Sequence, residues 1–166
     1  MAGGGLDGKP LGLEPRVVPV RLRLARKGAK MKVAIAESSI HGIGLFAVCD
    51  IPKGDVIIEY EGEHISVREA CRREERNRLV GKTYILAYNE KFSIDGAIGG
   101  NESRYANHSC DPNCHGLRRA GRAWYIASKK IRCGEEITVD YSFDADDELV
   151  SCHCGSPACR GTINEK

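Results

Sequence analysis

Arg104-Tyr105-Ala106-Asn107-His108-Ser109-Cys110-Asp111-Pro112-Asn113-Cys114 crowds hydrogen-bonding side chains and two cysteines into eleven residues. Each such polar group costs about 1–3 kcal/mol if buried without a partner. The stretch is therefore either a polar knot or a ligand site, and spacing alone leaves the two level. Asn and Asp-Pro-Asn also serve as ordinary turn formers, and a lone histidine is commonly a satisfied core residue. Near the other end, Cys152, Cys154 and Cys159 follow C-x-C-x4-C spacing. Zinc takes four tetrahedral ligands, so three thiolates need one more from elsewhere. The candidates are Cys110, Cys114 and His153. A ring at His153 would have to double back on its own turn, which favours a distant cysteine without choosing between the two.

The chain of 166 residues is long enough for one domain with a real core. No stretch approaches the roughly 20 apolar residues that span a bilayer, and the N-terminus lacks the apolar core of a secretory signal. A soluble, intracellular protein without membrane contact is expected. The eight cysteines are clustered rather than spaced as a disulfide framework, which fits reduced thiols, some of them holding metal. Net charge is +2, but Arg16, Arg21, Arg23, Arg26, Lys27, Lys30 and Lys32 fall in a run without an acid. Setting these seven aside leaves 18 basic against 23 acidic residues. A basic arm on an acidic body suits contact of residues 16–32 with nucleic acid and of the body with a cationic peptide. The plainer reading is an edge strand kept soluble by its charges.

Residues 1–15 are rich in Gly and Pro and read as a disordered tail. Val17 to Leu24 alternates apolar residues with arginine, a half-buried strand pattern, and Lys32 to Ala36 reads as another strand. Brief apolar runs follow at Leu45-Phe46-Ala47, Val56-Ile57-Ile58, Tyr84-Ile85-Leu86 and Phe92-Ser93-Ile94. Ser66 with Glu69 forms a capping box that opens a helix to about Leu79, with Val67, Ala70 and Cys71 on its buried face. Ala120-Gly121 sits between Leu117–Arg119 and Ala123–Ala127 as a hairpin turn, and Ile137–Val139 is a last strand. The fold class is mainly β with one short helix.

His41-Gly42-Ile43-Gly44-Leu45-Phe46 sets two glycines before an apolar run, where missing side chains let a ligand approach the backbone. It lacks the third glycine and the following helix of a dinucleotide site, and a plain turn reads equally well. Tyr60, Tyr84, Tyr105 and Tyr141 are, taken singly, amphipathic core residues at strand ends.

Taken in order, Ile40-His41-Gly42-Ile43-Gly44-Leu45-Phe46-Ala47, Ile58-Glu59-Tyr60-Glu61-Gly62-Glu63, Gly100 through Cys110, and Gly134-Glu135-Glu136-Ile137-Thr138-Val139-Asp140-Tyr141 resemble the SET-domain protein lysine methyltransferases. The Cys152–Gly161 run is similar to their post-SET zinc segment. The resemblance implies a pseudoknot of several small β-sheets and divides the chain into a tail (1–15), a basic strand (16–31), a catalytic domain (32–145) and a zinc segment (146–166). It implies S-adenosylmethionine against Gly42, Ile43 and Gly44, with Tyr84, Arg104, Tyr105, Asn107, His108 and Tyr141 around it. It implies zinc on Cys110, Cys152, Cys154 and Cys159. Tyr141 would orient the reacting groups, with Tyr60 and Tyr84 as channel walls. Where many relatives carry Phe or Tyr two positions before the final tyrosine this chain has Val139, and Gly99 stands where some carry an aromatic.

The implied activity is methyl transfer to lysine in a histone or another basic protein, by a monomer, at chromatin in a eukaryote. An acidic lip at Asp144, Asp146, Asp147 and Glu148 would suit basic peptides. The competing classes are a catalytically silent SET-like peptide-binding module and a nucleic-acid binder.

Overall fold

The computed structural model describes residues 31–78, 83–145 and 148–165. The tail at 1–15, the Val17–Leu24 strand with the basic segment 16–30, the helix end at Leu79, and Asp146 and Asp147 of the acidic lip lie outside the described residues. Among those described, ten strands form three small sheets beside one helix. Numbered along the chain, β1 (Val33–Glu37), β2 (Ile43–Ala47), β10 (Glu136–Val139) and β7 (Asn107–His108) lie side by side in that order. A second sheet runs β3 (Val56–Tyr60), β9 (Arg122–Ala127), β8 (Cys114–Arg119), and a third β4 (Glu63–Ser66), β6 (Phe92–Asp95), β5 (Ile85–Ala87). The mainly β expectation holds.

Apolar residues on strands and bridges of all three sheets meet in one core. Leu45, Ile51, Ile131 and Ile137 are fully buried there and Ile94 nearly so, each contributing about 1.5–3 kcal/mol of burial. The β8–β9 hairpin turns at Ala120 and Gly121 with φ of 50° and 79°, the paired left-handed conformation that matches strand twist.

Helix α1 (Val67–Arg78) starts where the capping box places it, with the Glu69 N–H donating to Ser66 Oγ at 3.2 Å. Its buried face differs from the expectation. Ala70 is buried, but Val67 and Cys71 are exposed. The anchoring is polar instead: the Arg73 guanidinium donates to Glu63 of β4, to Glu69 and, at 2.7 Å, to the buried Asp95 of β6. Those bonds tie the helix to the sheet where an apolar stripe would otherwise do so.

The Asn107-His108 segment is a strand rather than a turn. It lies parallel to β10, with Thr138 opposite Asn107 and Val139 opposite His108. A 3₁₀ turn, Glu102–Tyr105, delivers the chain to it, capped by Asn101, whose side chain also donates to Glu59 O. Asn113 is likewise no simple turn residue. It is buried, accepts the Thr138 N–H at 2.9 Å and donates to Glu136 O at 2.7 Å, stitching the start of β8 to β10. Asn113→Ala orphans the Thr138 N–H and should lower stability by about 2 kcal/mol in chemical denaturation; an unchanged midpoint would show that the stitch contributes nothing.

Candidate functional site

Asn107 is buried, and its amide Nδ2 lies 2.8 Å from Glu136 Oε1, 3.1 Å from His41 O and 3.3 Å from Ile43 O. Two hydrogens serve three acceptors, so one is shared between the two carbonyls. A single side chain thus ties β7 to β10 and to the glycine segment. Glu136 is fixed in turn by the Ser38 hydroxyl. The two glycines separate at this point. A Cβ on Gly44 would sit 2.3 Å from Glu136 Oε1, whereas Gly42 has φ +48° and open space where its Cβ would be. Gly44 makes room for Glu136, and Gly42 is open where its side chain would stand.

The tyrosines gather beside this junction. Buried Tyr60 donates its hydroxyl to Tyr84 O at 2.6 Å, and Tyr141 donates to Ala106 O at 3.1 Å. Burial pushes the Tyr141 phenol up to about 12, with the Tyr84 phenol and the Glu136 carboxylate adding to it. Burial likewise raises Tyr60, which feels Tyr141 and Tyr84 as neighbouring negative charges when ionised. Tyr141 as a whole is 39% exposed, so its hydroxyl end is desolvated while the rest of the residue faces solvent. Tyr84 and Tyr105 stack edge to face at 5.9 Å, and the Arg104 guanidinium lies over both rings. Arg104 donates to Gly96 O and Tyr105 Oη, and its buried Nε has no partner among the described residues.

Cys110, Cys152, Cys154 and Cys159 bring their sulfurs within 4.8 Å of one another, with Cys110 and Cys152 at 3.7 Å. Tetrahedral zinc–thiolate bonds of about 2.3 Å put ligand sulfurs about 3.8 Å apart, so the cluster fits that ion. Burial disfavours the Cys154 thiolate, but backbone N–H groups and the neighbouring thiols outweigh it and bring this thiol down to about 6. Cys114 is excluded: it is buried, its thiol donates to Thr138 O at 3.2 Å, and desolvation pushes it up to about 12. His153 is exposed and outside the cluster.

His108 lies between cluster and tyrosines, its Nε2 3.4 Å from Cys110 Sγ and its Nδ1 accepting the Tyr141 N–H at 3.2 Å. Burial lowers its pKa, opposed by Asp140. Two residues that sequence reasoning missed complete the closure. Arg160 grips both carboxylate oxygens of Asp140, holding that acid below its usual range. Asn164, fully buried, accepts the Val150 N–H and donates to Asp144 O. A groove of about 470 Å³ along α1 is lined by Arg72, Arg73, Arg76, Asp95, Ala97 and Ile98, and neither Asn107 nor a tyrosine lines it.

The family described as SET domain matches residues 42–142. The chain is 37% identical over 163 residues to a Schizosaccharomyces pombe "Histone-lysine N-methyltransferase, H3 lysine-4 specific", covering 92% of this chain and 18% of that protein. It is 38% identical over 152 residues to human "Histone-lysine N-methyltransferase 2D", covering 86% of this chain and 3% of the relative. Among solved structures, a humanized mutant of the Chaetomium thermophilum Polycomb Repressive Complex 2 bound to the inhibitor GSK126 aligns with TM-score 0.60 and 36% identity, over 69% of this chain and 15% of that one. The chain therefore spans less than a fifth of the length of these relatives.

If the four thiols hold zinc, chelation should release one ion per chain and speed amide exchange across 148–165 while β8 and β9 stay protected. Retention of the native exchange pattern after metal loss would show that the thiols close the chain end without an ion.

Proposed function

The chain belongs to the SET-domain family, and from this premise we propose that it transfers a methyl group from S-adenosylmethionine to a lysine side chain of a histone or another basic protein. The observation that carries this reading is the convergence of three tyrosines on the junction where Asn107 holds the His41 and Ile43 carbonyls on either side of Gly42. The donor would rest against residues 42–44, flanked by Arg104, Tyr105, Asn107, the His108 backbone and the tyrosines. The unpartnered Arg104 Nε suits an anionic group there, such as the donor's carboxylate. When bound, the donor supplies an electrophilic methyl group on a sulfonium.

The lysine must arrive neutral, which at pH 7 costs about 4–5 kcal/mol from a reference pKa of about 10.4. Desolvation beside the tyrosines lowers that cost, because burial disfavours the ammonium form. Tyr60 and Tyr141 have both spent their hydroxyl protons on backbone carbonyls. Their oxygens are left as acceptors that can orient an amine N–H, and positioning of this kind supplies the rate. Two nearby carboxylates are committed, Glu136 to Ser38 and Asn107, Asp95 to Arg73. No general base is assigned. Asp144 and Glu148, exposed and following Tyr141 in sequence, would favour basic residues around the target lysine, and a histone target would place the protein at chromatin.

Incubation with labelled S-adenosylmethionine and histones, followed by mass spectrometry, should reveal modified lysines. Donor binding without transfer would instead mark a silent peptide-binding module. Tyr141→Phe should reduce transfer about a hundredfold with folding and zinc intact; full activity would refute the assigned role. The single-turnover rate should rise with pH as lysine loses its proton, with no falling limb up to about pH 10, since Tyr141 ionises only near 12. A bell with its maximum near pH 7 would require a titrating base that this reading omits.

A further inference from the structure

We propose that His108 is a strut that joins the zinc cluster to the Tyr141 backbone by donating a hydrogen bond from Nε2 to the Cys110 thiolate. The assignment follows from hydrogen-bond direction. A backbone N–H can only donate, so the Tyr141 N–H, 3.2 Å from Nδ1, requires a lone pair on that nitrogen. A neutral imidazole carries its one hydrogen on the other nitrogen, and Nε2 faces Cys110 Sγ at 3.4 Å. A doubly protonated ring would set two N–H groups against each other at Nδ1, and the Asp140 carboxylate, 3.5 Å from that nitrogen, is already taken by Arg160. The ring is 4% exposed and both nitrogens are engaged, so the imidazole is committed to the protein.

Cys110 Sγ also accepts the Arg160 N–H at 3.3 Å. A sulfur approached by two N–H donors is held in place by them, and such outer partners orient and tune metal ligands. The strut is braced from the far side, where Arg160 grips Asp140, the residue before Tyr141. Tyr141 is pinned at its other end to Ala106 O, two residues before His108. Ala106, His108 and Cys110 therefore hold the hydroxyl of Tyr141, the peptide of Tyr141 and the metal in succession. Metal occupancy fixes where the tyrosine stands. His108 is a positioning residue, and the inference rests on zinc at the four thiols but not on methyl transfer.

The test uses cobalt-loaded full chain, read by the thiolate-to-metal charge-transfer band, metal competition and amide exchange at Tyr141. His108→Phe should keep four-cysteine coordination but shift the band, weaken metal affinity about 10–100-fold and lose protection at Tyr141, with Tyr125 and Ala127 of β9 still protected. His108→Gln, whose amide both accepts and donates, should recover most of both effects. If His108→Phe fails to fold, chelation of the wild-type chain replaces it: Tyr141 protection should fall while β9 holds. Wild-type affinity and Tyr141 protection in His108→Phe, or Tyr141 protection that survives chelation, would overturn the strut. A wild-type chain that takes up no cobalt overturns the metal it is built on, and neither result depends on whether methyl transfer occurs.

Discussion

One carboxamide holds the site together. Asn107 Nδ2 reaches Glu136 on β10 and the carbonyls of His41 and Ile43 beside β2, joining segments 29 to 66 residues away in sequence. Its position is set by non-local pairing, because β7 has no neighbour in sequence to pair with and lies parallel to β10. A buried amide short of partners costs about 1–3 kcal/mol, so β7, β10 and the glycine segment are stable only together. Gly44 follows from the same constraint, since any side chain there would displace Glu136.

The second closure is made by sulfur. The thiols of Cys152, Cys154 and Cys159 meet that of Cys110, two residues past His108. Arg160 then clamps Asp140, and Asn164 binds the loop at Asp144 and Val150. Phe143, bridged to Asn164, lies 5.8 Å from the Tyr141 ring. Beside the tyrosine cluster stand two attachments to distant sequence, one through the Asn107 amide and one through the Cys110 thiol three residues on.

Features written in local chemistry were legible in the sequence. The Ser66–Glu69 cap and the Ala120-Gly121 hairpin depend on neighbours a few residues apart, and both stand where expected. The C-x-C-x4-C triad announced three ligands, but spacing could not choose Cys110 over Cys114; their different environments, decided by tertiary packing, do so. That Gly44 also makes room for Glu136 is set by a residue far along the chain and leaves no local trace in the sequence. The helix face was misjudged because an apolar pattern was sought where Arg73 makes ionic ties to other elements. Arg160 and Asn164 carried a weak signal only, a cation beside Cys159 and an amide near the chain end. The order of motifs around Asn107 pointed to the family, and the family description matches 42–142.

The most direct test of the account is a calorimetric titration of S-adenosylmethionine into the wild-type chain and into Asn107→Asp, whose carboxylate would face Glu136 and two carbonyl oxygens. The wild type should bind one equivalent, and the variant should bind at least about tenfold more weakly while keeping the wild-type fold. Equal affinity in the two proteins, or no binding by the wild type, would contradict the claim that this amide builds the donor site.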